Sequence, residues 1–356
     1  MNFFINRLDY LDIGNNSYPF IPENIAKEMN LDGMIVGLNG YFFSHGTDVM
    51  ALLKNTNLRD QLGINRYNAL FQHPMMLFLL ATTEDEFRLS KEELDHRYGI
   101  MEIHLNNFAQ ALSIGFWFIK DSCVCATQGY WMNLLNDYNA QGTRDMFITR
   151  SDGRCAVTSF TDPEMDEAIN RMYEIYRYLL PDESKMGRFE SVNHAGSTVW
   201  MIDQAISSEG NSFARALKYL QEARRTGVLS SKIDKYCSVL ECLYAINKEH
   251  KKNIADITAA FIGTDAEDRD DIRNHMREAY GVRSDGSHGD NLKYLKQNDT
   301  EQLKALSTIV DNYVRAVFRK VICQDRLNYD STPASKANTR AYFLALMHAI
   351  YPPEVS

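Results

Sequence analysis

SFARALKYLQEARRTGVLSSKIDKYCSVLECLYA, residues 212–245, sets the architecture of the second half of the chain. Phe213, Ala216, Leu217, Leu220 and Ala223 recur at the three- and four-residue intervals that place side chains on one face of a helix. Ser212 is a residue type that caps helix starts, and Gly227 is one that follows helix ends. After Ser230 and Ser231 the pattern resumes with Ile233, Tyr236, Cys237, Leu240 and Tyr244. The stretch therefore reads as two amphipathic helices joined by a short turn, each with a stripe to bury against neighbours.

Working outward, a third helix carries Ile254, Ile257 and Phe261 and stops at Gly263. Thr264 and Glu267 have the spacing of a capping box for a fourth, which runs to Tyr280 and Gly281. A long helix follows Asp299 and Thr300, with Leu303, Leu306, Val310, Tyr313, Val317 and Val321 as its stripe. Residues 205–350 are thus a bundle of helices.

The first half has a different texture. Residues 22–30, 46–56, 66–81 and 91–112 read as helices, and residues 34–43 as a strand broken by glycines. The run GFWFIKDSCVCATQGYWMN divides into aromatic and β-branched pieces around Lys120, Asp121 and Ser122. DMFITRSDGRCAVTSF carries a hairpin signal at Ser151, Asp152 and Gly153. Thr161 to Glu164 open a helix reaching about Leu180. Residues 1–180 are accordingly a mixed α/β module and 181–204, polar and rich in breakers, a connecting segment. The fold class is α+β: this module followed by the all-α bundle.

With 356 residues the chain has room for two cores, and its 45% hydrophobic and 24% charged content is that of a globular protein. No secretory leader and no apolar run of membrane-spanning length stand out, so a soluble, cytoplasmic protein without a membrane partner is expected. Six cysteines form no C-x-x-C pair, and Cys123-x-Cys125 has no companion at zinc spacing, so free thiols and no bound metal are expected. The formal charge of −9 repels a polyanion as a whole, which confines any nucleic-acid site to a local basic patch. Arg215, Lys218, Arg224, Arg225, Lys232 and Lys235 are candidates for phosphate contacts or for an ordinary solvated face. Tyr130, Trp131, Trp117 and Phe118 are candidates for stacking on a base, or for the core. Phosphate-binding loops, dinucleotide fingerprints, zinc-protease motifs and nucleophile elbows are absent, and no cofactor is expected.

One segment has chemistry of its own. YGVRSDGSHG, residues 280–289, combines a permanent cation, Arg283, with His288, which titrates near neutral pH. Metal-independent RNA cleavage needs those two functions. A histidine moves a proton between the 2′-hydroxyl and the leaving 5′-oxygen, and an arginine grips the phosphate and offsets the charge that develops there. Spacing alone does not choose this pair, because similar intervals separate Arg66 from His73, Arg97 from His104, Arg188 from His194 and Arg269 from His275. Residues five apart on a regular helix lie about 140° apart around its axis. The pair therefore requires an irregular backbone, for which Gly286 is suited.

The same residues resemble the Tyr-x-x-Arg-Ser-x-x-x-His-Gly signature of Apea-like HEPN domains. Residues 215–245 are similar to the first two helices of that family, 253–263 to the next, and 301–322 to the long helix after the motif. The likeness spans about 205–325, with a looser echo at FWFIKDSCV. It implies a helical HEPN domain that pairs as a homodimer with two motifs meeting at the interface. It also implies a metal-independent endoribonuclease acting on RNA, as in toxin, antiphage or RNA-processing systems. The α/β module would then answer to a protein or phage-derived trigger. Carried over residue by residue, Arg283 is the phosphate-binding cation, His288 the proton-transfer group, Ser284 the polar neighbour of the arginine and Tyr280 a supporting residue. Glu241 matches the acidic landmark of the second helix, in a catalytic or a structural role. Gly286 and Ser287 depart from the family, which usually has aliphatic residues there, and this implies a looser hold on His288. The alternative is a catalytically inactive HEPN protein that binds nucleotide or RNA, or only dimerises.

Overall fold

The computed structural model describes residues 2–15, 17–20, 39–53, 58–133, 138–143, 147–179, 190–194, 197–201, 211–246, 250–288, 290–324, 327, 329 and 332–352. The helix expected at 22–30 lies outside them, as does the first part of the strand expected at 34–43. The fold is α+β, with an N-terminal antiparallel sheet followed by a helical region. Two compact units are distinguished: Met1–Ile148 with Cys155–Arg177, and Thr149–Arg154 with Tyr178–Ser356.

In the first unit the elements are β1 (Asn2–Asp9), β2 (Leu11–Ile13), β3 (Ser17–Phe20), β4 (Asn39–Phe43), α1 (Thr47–Leu53), α2 (Leu58–Gln72) and β5 (Met75–Leu80). They continue with α3 (Lys91–Ile119), β6 (Cys125–Asn133), β7 (Tyr138–Thr143), β8 (Thr158–Phe160) and α4 (Asp162–Leu179). Six strands form one sheet in the order β3-β4-β5-β1-β6-β7, every neighbouring pair antiparallel, while β2 and β8 make a short parallel pair. Strand β1 is covered on both faces. Phe3 and Ile5 join Val49, Leu53, Leu70 and Phe71 of α1 and α2. The alternate residues meet α3, where Asn6 donates to Asn106 and Phe78 of β5 packs edge-on against Phe108. Asn2, Asn133, Tyr98 and Glu86 form a buried hydrogen-bonded seam on this side. Trp117, Phe118, Tyr130 and Trp131 are all buried, so these aromatics are core.

Several elements differ from those expected. Residues 66–81 are not one helix: α2 ends at Gln72, ahead of Pro74, and MMLFLL is strand β5, buried on both faces and therefore without an alternating pattern. Helix α3 runs on through GFWFI to Ile119 from a Ser90–Glu93 capping box. Gly115 lets it pass close to α4, for a Cβ there would sit 2.4 Å from the Ala168 carbonyl oxygen. The hairpin expected around Ser151 is only a turn. Gly153 has the positive φ of 80° expected of a turn glycine, but among the described residues 147–150 and 154–157 form no strand, and Thr158–Phe160 pairs with β2 rather than back across the turn.

The second unit holds β9 (Glu190–His194) and β10 (Ser197–Met201), an antiparallel pair inside the expected connecting segment. Its helices are α5 (Ser212–Arg224), α6 (Leu229–Tyr244), α7 (His250–Ile262), α8 (Ala266–His288), the short α9 (Lys293–Lys296), α10 (Thr300–Ile322) and α11 (Pro333–Ile350). The stripes read from the sequence are buried throughout, Tyr313 only partly. Phe343 of α11 packs on Tyr244 and Phe261, and Phe213 meets Phe318. Caps shift by a residue: Asn211 caps α5, and Asp265 with Asp268 replaces the expected Thr264–Glu267 box at α8.

The turn 149–154 serves the end of α5. Thr149 donates from its backbone to the Arg224 carbonyl at 2.8 Å and from its hydroxyl to that of Thr226 at 2.7 Å. The fully buried Lys232 ammonium donates to the Ala223 carbonyl at 2.7 Å. These contacts satisfy carbonyls that a helix end leaves unpaired, and the cation complements the helix dipole. Lys232 and the buried Arg224 are thus structural, which removes two of the six basic candidates from any phosphate-facing patch.

Candidate functional site

The site is made where α6 and α8 pack. Successive turns of α6 place Asp234, Cys237 and Glu241 along one stripe, three and seven residues apart. Opposite stand Tyr280 and Arg283 of α8, three residues apart and so on one face. The Tyr280 hydroxyl donates to Glu241 Oε1 at 2.9 Å. Arg283 donates from Nη1 to the same oxygen and forms an ion pair with Asp234, whose Oδ1 lies 3.1 Å from Nε, with its guanidinium 5.5 Å from the Tyr280 ring centroid. Glu241 thereby joins two residues some forty positions away in sequence. Asp234 is the member that sequence reasoning missed. Its signal was its place seven residues before Glu241 on the same helical face.

Burial and charge shape the titration of the cluster. Burial pushes the Tyr280 phenol far above its usual range, with the thiol of Cys237 and the Glu241 carboxylate adding to the effect. Cys237 is fully buried, and that burial drives its thiol strongly upward, which leaves it a neutral packing residue. For Arg283, burial works against the charge, but the Glu241 hydrogen bond and carboxylate outweigh it and hold the guanidinium more firmly protonated.

Helix α8 does not stop at Gly281. It continues through Gly286 to His288, neither glycine having a positive φ, and the Asp290 amide closes on the Asp285 carbonyl at 2.9 Å. The irregular backbone expected between Arg283 and His288 is therefore replaced by helix. Backbone positions 283 and 288 stand about 140° apart around the axis. The side chain of His288 lies outside the described residues. Ser284 is exposed beside the arginine.

The other Arg–His intervals fall elsewhere. His275 lies within α8 and shares a hydrogen bond with Tyr313 at 2.9 Å. His73 stands 3.6 Å from Asp9, and burial and the nearby Arg7 lower its pKa. All six cysteines are free thiols. Among the described residues, no group of three or more His, Cys, Asp or Glu side chains is placed to hold a metal ion, and no helix is long and apolar enough to cross a membrane. Comparison with models of protein families, with curated proteins and with solved structures gives no match for this chain.

Proposed function

We propose that the chain is a metal-independent endoribonuclease of the HEPN type, with Arg283 as its phosphate-binding cation and His288 as its proton-transfer group. The observation that carries this reading is the convergence of Tyr280, Arg283 and Glu241 in one hydrogen-bonded cluster between α6 and α8. A guanidinium held from behind by a carboxylate is fixed in orientation, which is what stabilising a phosphorane requires. In the reaction the RNA 2′-hydroxyl attacks the adjacent phosphorus. His288 takes up the hydroxyl proton, and a proton is returned to the departing 5′-oxygen. The products are a 2′,3′-cyclic phosphate and a 5′-hydroxyl. Ser284, exposed next to Arg283, adds a hydroxyl donor.

A continuous helix does not by itself bring positions 283 and 288 to one phosphate. The reading therefore takes the site as shared between two copies of the chain, each supplying α8. The N-terminal unit is read as the part that answers to a protein or phage-derived trigger in a cytoplasmic defence effector.

A second reading, a catalytically inactive HEPN protein that binds RNA or nucleotide or only dimerises, is favoured by the pairing of Arg283 with two carboxylates. End-labelled RNA incubated in EDTA with the wild type, Arg283→Ala and His288→Ala separates the two. The nuclease reading expects cleavage by the wild type and a loss of about a hundredfold or more in either variant. Cleavage that survives both substitutions sinks it, and binding without cleavage establishes the second reading. A solution mass of one chain in the active species removes the shared site.

A further inference from the structure

We infer that Asp234 is a displaceable gate on the anion site of Arg283: its carboxylate stands in ion-pair contact with the guanidinium edge that a phosphodiester needs, and incoming RNA takes its place. The inference rests on the reading of Arg283 as a phosphate-binding residue and adds a determinant of that site's affinity.

The two carboxylates on Arg283 are held differently. Glu241 has a side chain 17% exposed and is tied to both Tyr280 and Arg283. Asp234 has a side chain 32% exposed, and its carboxylate is ion-paired only with Arg283 among the described residues. Asp234 can thus leave by a change of rotamer into solvent, whereas Glu241 cannot move without stranding the Tyr280 hydroxyl.

The donor pattern points the same way. Nη1 donates to Glu241, Asp234 Oδ1 stands 3.1 Å from Nε as an ion-pair partner, and Nη2 has no protein partner among the described residues. Bidentate recognition of a phosphate uses two neighbouring donors of the planar fork. Glu241 takes a donor of the Nη1–Nη2 edge, and the Asp234 carboxylate stands against the Nε–Nη2 edge. Withdrawal of Asp234 opens the Nε–Nη2 edge and leaves the Glu241 support intact. Charge adds to this, for one guanidinium between two carboxylates leaves the cluster with an excess negative charge. A phosphate approaching the closed cluster is repelled, and one replacing Asp234 restores the same balance.

The test is binding of a single-stranded 2′-O-methyl oligonucleotide, which cannot be cleaved through its 2′-oxygen, to the full-length chain by fluorescence anisotropy. Asp234→Asn keeps the side-chain volume but removes the charge, and it is expected to bind about tenfold tighter, given a unit charge a few ångströms from the phosphate at partial exposure. Asp234→Ser, which shortens the side chain, should shift affinity the same way and serves if the asparagine variant folds poorly. Asp270→Asn removes an equal charge from an exposed carboxylate of α8 and should change affinity less than twofold. Unchanged or weaker binding by both Asp234 variants, with binding abolished in Arg283→Ala, overturns the gate and leaves the site reading standing. Full binding by Arg283→Ala overturns the site reading and the gate together.

Discussion

Replacing Glu241 by alanine removes the acceptor that two α8 side chains share, and its cost follows from what each loses. Tyr280 is 7% exposed, so its hydroxyl is left with little access to water. A buried donor without a partner costs about 1–2 kcal/mol. Arg283, with a side chain 27% exposed, retains Asp234 and solvent, so loss of its ionic contact adds only about 1 kcal/mol after screening. Glu241→Ala should therefore destabilise the α6–α8 junction by about 2–3 kcal/mol. Glu241→Gln keeps an acceptor oxygen and the side-chain volume and should cost about 1 kcal/mol, because a charge-assisted bond becomes a neutral one. Hydrogen exchange read by mass spectrometry on peptides from α6 and α8 reports this local stability, and urea unfolding followed by helical ellipticity reports the effect on the unit. A cost below about 0.5 kcal/mol for the alanine variant refutes the reasoning and makes the cluster a solvated surface pair. Equal costs for alanine and glutamine would show that the charge carries the whole contribution, with the packing of the side chain and a neutral hydrogen bond adding nothing.

Two further outcomes concern the body of the protein. Gly115→Ala should destabilise the first unit by about 1–3 kcal/mol, since the new Cβ meets the Ala168 carbonyl oxygen at 2.4 Å and backbone cannot step aside. Thermal unfolding checks it, and a gain of the stability that alanine ordinarily brings to a helix would contradict the close crossing. Burial raises the phenol pKa of Tyr98, Tyr244 and Tyr280 above the unfolded value near 10. Their contribution is fully present below that pH and declines above it, because the unfolded chain then releases protons that the folded chain retains. Titrating phenolate absorbance against ellipticity should show these tyrosines silent until alkaline unfolding. Ionisation of all 19 tyrosines with the helices intact would refute the burial.

The amino-acid sequence by itself determined the helical half of the protein. In residues 212–322 local periodicity and burial point the same way, because a helix with one buried stripe writes that stripe at a fixed interval. Residue chemistry along the sequence also singled out Arg283, and the resemblance at 280–289 and in the second helix pointed to Tyr280 and Glu241, which the tertiary structure brings into hydrogen-bond contact with one another. Other features depended on partners distant in the chain. MMLFLL at 75–80 is strand rather than helix because β1 and β4 pair with it and both faces are covered, and a segment apolar on every side shows no period to read. The turn at Ser151 belongs with the helices because its backbone and side chains satisfy carbonyls at the end of α5, over seventy residues away. Lys232 looked like a surface cation until that same helix end buried it. The second carboxylate on Arg283 was likewise decided by packing. Asp234 and Arg283 meet only because α6 and α8 lie side by side, and that adjacency is settled by the burial of their stripes rather than by any local signal at either residue.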